Sequence, residues 1–143
     1  SMHMQGEPRT MQKNPVYTDL LSEVKSFLAE RARALTDLGV SAEKIVLDPG
    51  FGFGKTVSQN FELLAKTEDF LSLGYPLLYG MSRKSSLGAV TGITKAEERL
   101  ISSVTAHLLA VERGASIVRV HDVKQMKEAL TIYKAMVHYK DLK

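Results

Sequence analysis

The stretch Lys44-Ile-Val-Leu-Asp-Pro-Gly-Phe-Gly-Phe-Gly-Lys55 decides which fold this chain can adopt. Residues 45–47 form a short run of apolar, mostly β-branched side chains, the pattern of a parallel strand buried on both faces. The Pro-Gly pair at positions 49–50 ends that strand, so Asp48 lies at its carboxyl end. Ligands bind at this end of the strands in open α/β sheets and in α/β barrels, and we therefore predict a chemical role for Asp48.

The rest of the chain alternates between helical patterns and short apolar runs. Runs at 44–48, 76–80 and 116–120 predict three strands, and residues 1–6 resemble the end of an earlier one. The predicted helices occupy residues 16–38, 58–73, 94–113 and a final segment after Asp122. This alternation implies parallel strands joined by right-handed crossovers. Because a complete (β/α)8 barrel takes about 250 residues, we expect an α/β fold of parallel βα units, about the carboxyl-terminal half of a barrel, with residues 1–143 as a single partial domain.

Local signals predict where the helices begin and end. The expected N-caps are Ser58, Thr94 in a capping box with Glu97, and Asp122. The glycines expected to end helices are Gly39, Gly74 and Gly114. Pro8 and Pro15 are expected to bracket a loop before the first helix.

Composition excludes several classes of protein. With 143 residues, 44% of them hydrophobic, the chain is about one domain long and can bury a core. A formal charge of +3 is too small to indicate nucleic acid binding. No apolar run approaches the roughly 18 to 20 residues that span a bilayer, and the first residues do not resemble a signal peptide. The chain has no cysteine, and we expect a cytoplasmic protein with no membrane partner.

Several cationic or titratable side chains follow the predicted strands at or just beyond their carboxyl ends. They are Lys55, Arg83, Lys84, Arg119 and His121. Since the carboxyl ends of parallel strands meet at one edge, we expect these side chains to converge on one anionic ligand. Arg119 and His121 are two residues apart in a predicted strand, so they would face the same side and form an anion clamp. A histidine in such a position is also often structural, and Arg83 and Lys84 could be exposed to solvent.

The glycine-rich loop, residues 50–55, does not have the spacing of a nucleotide-binding loop. A P-loop would need a glycine where Pro49 stands, and a dinucleotide loop would need a third glycine where Lys55 or Val57 stands. Alternating glycines would let the backbone approach a flat ligand closely, with Phe51 and Phe53 offering rings for stacking. The alternative is a flexible turn whose phenylalanines pack into the core, and the spacing leaves both interpretations open.

Asp48 also has two interpretations. Before a proline it could be a turn former that accepts backbone N–H bonds. As a ligand-binding group it would be an acceptor suited to a paired N–H and N–H₂ edge, such as a 2-aminopyrimidinone presents. His3 and His121 have no carboxylate–His spacing around them that suggests zinc, and His107 and His138 lie on predicted helices. We therefore expect no metal ligands in this chain alone.

Four motifs together resemble the successive motifs of the bacterial dihydropteroate synthase family, a pterin-binding barrel family. They are Met2-His-Met-Gln-Gly6, Leu47-Asp-Pro-Gly-Phe-Gly-Phe-Gly-Lys55, Gly80-Met-Ser-Arg-Lys-Ser85 and Ile117-Val-Arg-Val-His-Asp-Val123. They follow the family's order with similar separations and cover essentially the whole chain. The resemblance implies a transferase that condenses 6-hydroxymethyl-7,8-dihydropterin pyrophosphate with 4-aminobenzoate and releases pyrophosphate in folate biosynthesis.

The resemblance also implies roles for individual residues. Asp48 would bind the pterin's N–H and N–H₂ edge, and Lys84 would reach the pterin carbonyl and line the aminobenzoate pocket. The other residues implied to bind substrate are Met2 and Gly80 on the pterin side, Gly52, Phe53 and Ser85 on the aminobenzoate side, and Arg83. Arg119 and His121 would hold the departing pyrophosphate, and with Lys84 they form the implied catalytic set.

The family pattern extends beyond this chain. The chain begins at what resembles the last residues of a strand, so we expect it to lack the amino-terminal half, including the asparagine that helps to bind Mg²⁺. Alone, the chain is expected to be inactive or nearly so. The resemblance further implies a homodimer formed through the last helices. The alternatives are a pterin-binding methyltransferase domain, which would not be expected to carry both basic motifs, and a non-catalytic half-barrel that binds pterin or anions.

Overall fold

The computed structural model describes residues 1–5 and 16–142. The α-helices are α1 (Leu20–Asp37), α2 (Val57–Ala65), α3 (Ser85–Thr91), α4 (Leu100–Glu112) and α5 (Val123–Val137). The strands are β1 (Leu78–Tyr79) and β2 (Ile117–Val118). Short 3₁₀ helices cover Ala42–Lys44, Thr67–Leu73, Ala96–Glu98 and Tyr139–Asp141. The loop predicted between Pro8 and Pro15 lies outside the described residues.

Among the described residues, four short segments pair in parallel, in the order in which they occur in the chain. β1 pairs with β2 in the register Leu78 to Ile117. On the other side of β1, Leu47 forms a single parallel bridge with Leu77, and Asp48 forms one with Met2. The pairing is shorter than the predicted strands because Lys44 belongs to a 3₁₀ helix and only the ends of the apolar runs exchange backbone hydrogen bonds. The parallel βα arrangement is the predicted one, and it brings the carboxyl ends of all four segments to one edge.

The first of two apolar clusters in the described part of the chain packs α1 against the segments that pair. Leu20, Val24 and Leu28 recur at the spacing of one helical face and are buried. They pack with Leu47 and Leu77, which form the parallel bridge and are fully buried. Asp19 begins the helix by accepting a hydrogen bond from the Ser22 amide at 3.1 Å, and Gly39, with φ of 87°, follows its end as predicted.

The second cluster lies beneath the glycine-rich loop. It consists of Phe51, Leu64, Tyr79, Met81, Leu87, Ala106, Ala110 and Ala115, contributed by the loop itself, by α2, α3, α4 and β1, and by residues that follow β1 and α4. Phe51 is 1% exposed and contacts Phe61 edge to face. The interpretation of this phenylalanine as a core residue is therefore correct, and its ring is not available to stack on a ligand.

The structure corrects two of the expected helix starts. Thr56, not Ser58, begins α2, because the Thr56 hydroxyl accepts from the Gln59 amide at 3.2 Å and the Gln59 side chain accepts from the Thr56 amide at 2.9 Å. The capping box expected at Thr94 is absent, and α4 begins only after Arg99.

Two further helix boundaries differ in detail from the prediction. Asp122 does precede α5, yet its side chain makes no cap hydrogen bond. The helix predicted over 58–73 divides into α2 and the 3₁₀ helix Thr67–Leu73, which Gly74 ends in the left-handed conformation. In the described residues no helix is both long enough and apolar enough to cross a membrane.

Candidate active site

A cavity opens at the edge where the carboxyl ends of the parallel segments meet. Its volume is about 210 Å³, and its lining residues are Ser1, Met2, Val46, Asp48, Leu78 and Arg119. Three of the four segments that pair thus contribute directly to it, and Arg119 follows the fourth. Met2 is partly buried beside Asp48, Gly80 directly follows β1, and Ser85 is the first residue of α3.

Asp48 is the buried carboxylate of this cavity. It is 8% exposed, and one of its oxygens, Oδ1, accepts the Gly50 amide at 2.8 Å, so it does act as a turn former. Burial raises the pKa of Asp48, and the Gly50 N–H bond and the positive charges of Lys84, Arg119 and Lys55 oppose that rise. The carboxylate is therefore both part of the turn and surrounded by cations.

Lys84 approaches this cluster across the glycine-rich loop. Its ammonium donates to the carbonyl of Phe51 and lies 4.2 Å from the ring centroid of Phe53. Burial lowers the pKa of Lys84 to about 8, although the charge of Asp48 acts in the other direction. Gly52 permits the approach, since it has φ of 82° and a Cβ there would lie 2.8 Å from Cδ of Lys84.

Lys55 lies on the inner side of the same loop and is 2% exposed. Its ammonium contacts Nδ1 of His3 at 2.9 Å and donates to the carbonyls of Gly50 at 2.9 Å and Phe53 at 3.0 Å. Burial lowers the pKa of Lys55 to about 7. Because every donor of this ammonium faces a group of the protein, the expectation that Lys55 reaches an external anion is wrong.

Arg119 and His121 lie at the edge but are held by different partners. The Arg119 amide donates to the Tyr79 carbonyl at 2.9 Å, and its guanidinium lies where a Cβ on Gly80 would be 3.0 Å from Nη2. His121 contacts Oγ of Ser82 through Nδ1 at 2.9 Å. Since β2 ends at Val118, strand alternation does not orient His121, and the serine hydroxyl does so instead.

Arg83 is turned to a partner within the protein. It has φ of 61°, and its guanidinium pairs with the Asp122 carboxylate at 2.7 and 3.3 Å. This ion pair explains why Asp122 does not cap α5. The structure thus brings together Asp48, Lys84 and Arg119, while Arg83 is engaged elsewhere.

Sequence reasoning missed Asn60, a buried residue of α2 that hydrogen-bonds to the backbone of the glycine-rich loop. Its Oδ1 accepts the Gly52 amide at 2.6 Å, and its Nδ2 donates to Oγ of Ser86 at 2.9 Å, which joins α2 and α3. Asn60 is 1% exposed. Its spacing of three and four residues from Leu63 and Leu64 places it on the buried face of α2, a signal that the sequence did contain.

A second missed group supports the loop that carries Lys84. Arg99 is 8% exposed and donates to the Arg83 carbonyl at 2.9 Å, while Oγ of Ser103 accepts the Arg83 amide at 2.8 Å. One turn further along α4, Nε2 of His107 accepts the Met81 amide at 3.0 Å. The polar residues at 99, 103 and 107 form one helical stripe, which is the signal that could have revealed them.

The described residues do not by themselves fit a divalent cation. Within 1–5 and 16–142, no group of three or more His, Asp or Glu side chains could hold a metal ion. The Mg²⁺ that the family resemblance implied therefore has no ligand set here, and no chemical step is assigned to it.

Known proteins match this chain over nearly all of its length. Dihydropteroate synthase from Escherichia coli is 44% identical to this chain over 142 residues, which are 99% of this chain and 50% of that protein. The crystal structure of dihydropteroate synthase from Stenotrophomonas maltophilia, with imidazole bound in its active site, is 51% identical with a TM-score of 0.93, covering 96% of this chain and 52% of that one.

A third match was solved with a ligand. Dihydropteroate synthase from Thermus thermophilus in complex with 6HMPPP is 42% identical with a TM-score of 0.90, covering 95% of this chain and 54% of that one. The same enzyme has been solved with 4-aminobenzoate. The chain thus spans about half the length of the relatives it matches, and its fold is the predicted part of their barrel.

The family model described as pterin binding enzyme matches residues 1–121. That match includes Asp48, Lys84, Arg119 and His121, so the cavity and the side chains around it fall within the matched region. The chain belongs to the family of pterin-binding enzymes.

Proposed function

We propose that this chain supplies part of the active site of an enzyme that condenses 6-hydroxymethyl-7,8-dihydropterin pyrophosphate with 4-aminobenzoate and releases pyrophosphate. One observation carries the proposal: a buried carboxylate, Asp48, shares an edge of the fold with Lys84 and Arg119, and their charges act on one another. The relatives solved with 6HMPPP and with 4-aminobenzoate support the choice of substrates.

Asp48 is proposed to bind the pterin's N–H and N–H₂ edge. A carboxylate can accept two hydrogen bonds from such an edge only while it is ionised. Burial opposes ionisation, and the neighbouring cations favour it. In this arrangement Met2 and Gly80 lie on the pterin side of the cavity.

Lys84 is proposed to donate to the pterin carbonyl and to line the aminobenzoate pocket with Gly52, Phe53 and Ser85. Its ammonium already lies over the Phe53 ring, which limits the positions it can take. A cation that lies over an aromatic ring and is attracted by the charge of Asp48 would fix the two substrates relative to each other. Such orientation is a large part of the rate acceleration in a reaction of two substrates.

Arg119 and His121 are proposed to bind the departing pyrophosphate. A C–N bond forms between the aniline nitrogen of 4-aminobenzoate and the pterin methylene carbon, and the C–O bond from that carbon to pyrophosphate breaks. The nitrogen releases one proton, and negative charge grows on the leaving pyrophosphate. A guanidinium matches phosphate oxygens in a bidentate manner. Preformed cations at that position stabilise the charge as it develops. Arg83 remains a proposed substrate contact, although it pairs with Asp122.

The wider setting is also part of the proposal. We propose a cytoplasmic enzyme in which residues 1–143 are one partial domain, Mg²⁺ is bound outside the described residues, and two copies associate through the last helices. Exposed apolar side chains on α5, namely Ile132 at 69% and Met136 at 60%, support the association. Sedimentation of a chain carrying Ile132→Glu and Met136→Glu would test it, with loss of the dimer as the expected result.

The catalytic proposal can be tested in a hybrid protein. In this hybrid, the chain replaces the matching half of the Stenotrophomonas maltophilia synthase. The two structures match with a TM-score of 0.93. We expect the hybrid to form 7,8-dihydropteroate from the two substrates, and Asp48→Asn to lower kcat/KM by about 100-fold.

The matched control is Lys66→Met, an exposed lysine at the end of α2. It should leave kcat/KM unchanged. A folded hybrid with no synthase activity, or one in which Asp48→Asn has no effect, would reject the proposal.

A further inference from the structure

We infer that Lys55 is a positioning residue whose ammonium locks the glycine-rich loop onto the first paired segment and thereby fixes the carboxylate of Asp48. The inference concerns the architecture around Asp48, and only its consequence for pterin binding rests on the proposed function. Nothing in the roles assigned above uses Lys55.

The first argument is the match between donors and acceptors. A protonated lysine has three N–H donors and no acceptor. Lys55 faces three acceptors, namely Nδ1 of His3 and the carbonyls of Gly50 and Phe53, at 2.9 to 3.0 Å. With the side chain 2% exposed, this pocket fits an ammonium and leaves it no donor for a ligand.

The second argument is that two of the residues that accept from Lys55, namely His3 and Gly50, also donate backbone hydrogen bonds to Asp48. The His3 amide donates to the Asp48 carbonyl at 2.9 Å, and the Gly50 amide donates to Asp48 Oδ1 at 2.8 Å. The hydrogen bonds therefore close a ring that runs through Lys55 and fixes Asp48 by its backbone and by its carboxylate.

The third argument is the close contact of the loop with residues 3–5. A Cβ on Gly50 would lie 1.8 Å from the His3 carbonyl oxygen, and a Cβ on Gly54 would lie 2.4 Å from that of Gln5. These approaches leave no room for a spacer between loop and segment. Lys55 is the side chain that fastens the two together from the inside.

Charge adds to the geometry. The groups that act on Lys55 are Asp48 and Lys84, and Asp48 also faces Arg119. His3 is adjacent to Glu23 and to the rings of Tyr17 and Phe27. In this set the ammonium of Lys55 is one of three cations that favour the ionised form of Asp48.

The test is a titration of the Asp48 carboxyl carbon by NMR in the 143-residue chain, with Lys55→Met compared to wild type and to Lys66→Met. Loss of a buried neighbouring charge should raise the Asp48 pKa by about one unit. The amide signals of Gly50 and Gly54 should move with it, and their hydrogen exchange should become at least about tenfold faster. Lys66→Met should change neither.

An Asp48 midpoint and loop amides that are the same in Lys55→Met and wild type would overturn the inference. Should Lys55→Met fail to fold, His3→Phe and His3→Asn decide in its place. His3→Phe removes one acceptor and should loosen the loop, whereas His3→Asn keeps an acceptor near the Nδ1 position and should restore it. Equal loosening in both variants would also count against the inference.

The outcome is separable from that of the hybrid enzyme, because the titration uses no substrate. An inactive hybrid rejects the proposed function and leaves the Asp48 result standing. An unchanged Asp48 titration rejects the role of Lys55 even if the hybrid is active.

Discussion

Lys55 and Lys84 occupy similar places in the chain and different places in the molecule. Both follow the carboxyl end of a parallel segment, both act on Asp48, and both contact the backbone of the same glycine-rich loop. Lys55 lies beneath the loop with three protein acceptors, whereas Lys84 is only partly buried and lies over the Phe53 ring. The number of internal acceptors therefore distinguishes the cation that builds the site from the cation that is available to a ligand.

The difference predicts that changes on the Lys55 side affect stability and changes on the Lys84 side affect function. On the Lys55 side, backbone approaches and buried hydrogen bonds leave little freedom for adjustment. On the Lys84 side, the side chain is only partly buried, and its ammonium donates to one backbone acceptor, the Phe51 carbonyl. Four measurements would break or sharpen this distinction, and the first two concern the Lys55 side.

The largest effect is expected for Gly50→Ala. Gly50 has φ of 76°, and the added Cβ would lie 1.8 Å from the His3 carbonyl oxygen, so the loop must separate from the first segment. We expect the free energy of unfolding to fall by more than about 4 kcal/mol. The control is Gly74→Ala, at the same φ of 76° with nothing within 4 Å; it should cost only about 1 kcal/mol, the strain of the left-handed conformation. Equal losses in urea unfolding would mean that the close approach has no energetic weight.

Acid should weaken the Lys55 side through His3. Burial, and after it the charge of Lys55, lowers the pKa of His3 from 6.5 to about 4. Between these values the unfolded chain binds the proton and the folded chain does not, so stability falls as the pH drops from 6.5 to 4. The full contribution is up to about 3 kcal/mol.

The measurement is urea unfolding of wild type and His3→Asn across that pH range. The difference between the two proteins isolates His3 from the opposing contribution of Asp48, whose pKa is raised. We expect the difference to change with pH between 6.5 and 4 and to be constant above 6.5. A constant difference throughout would show that His3 titrates normally in the folded chain.

On the Lys84 side, Lys84→Met should affect catalysis far more than folding. In the hybrid enzyme we expect kcat/KM to fall by about 100-fold, which corresponds to about 2.7 kcal/mol of transition-state stabilisation. The free energy of unfolding should change by less than about 1 kcal/mol, because the variant keeps the volume and removes a partly desolvated charge. Steady-state kinetics and urea unfolding on the same preparation would decide, and a large loss of stability would remove the distinction between the two lysines.

The sequence predicted the fold because its signals were local and consistent. Apolar runs at 45–47 and 76–80 alternate with amphipathic helices, and the four motifs together pointed to a family of pterin-binding barrels. The family model confirms that the chain is a pterin-binding enzyme family member. The position of Asp48 in the cavity also followed from its place after a strand. Such features depend on residues that are close together in the sequence, so they can be read before the fold is known.

The sequence could not show which cation is used internally. The Lys55 ammonium contacts His3, which is 52 positions away in the sequence. The Arg83 guanidinium pairs with Asp122, which is 39 positions away. The role of Asn60 likewise depends on the orientation of a loop amide. Burial and hydrogen-bond partners of this kind arise only when separate segments meet, so they are absent from local patterns.

The smallest effect is expected for Asp122→Asn. It tests whether Arg83 is a structural cation like Lys55 or is available to a ligand like Lys84. The ion pair joins side chains that are 32% and 18% exposed, at 2.7 Å. Partly exposed pairs of this kind add little to stability and are screened by salt. We expect the unfolding midpoint to shift less than in Gly74→Ala, and the shift to shrink further at high salt. In the hybrid enzyme, an unchanged kcat/KM would place Arg83 with the structural cations, whereas a change in KM alone would show that the released guanidinium reaches the substrate.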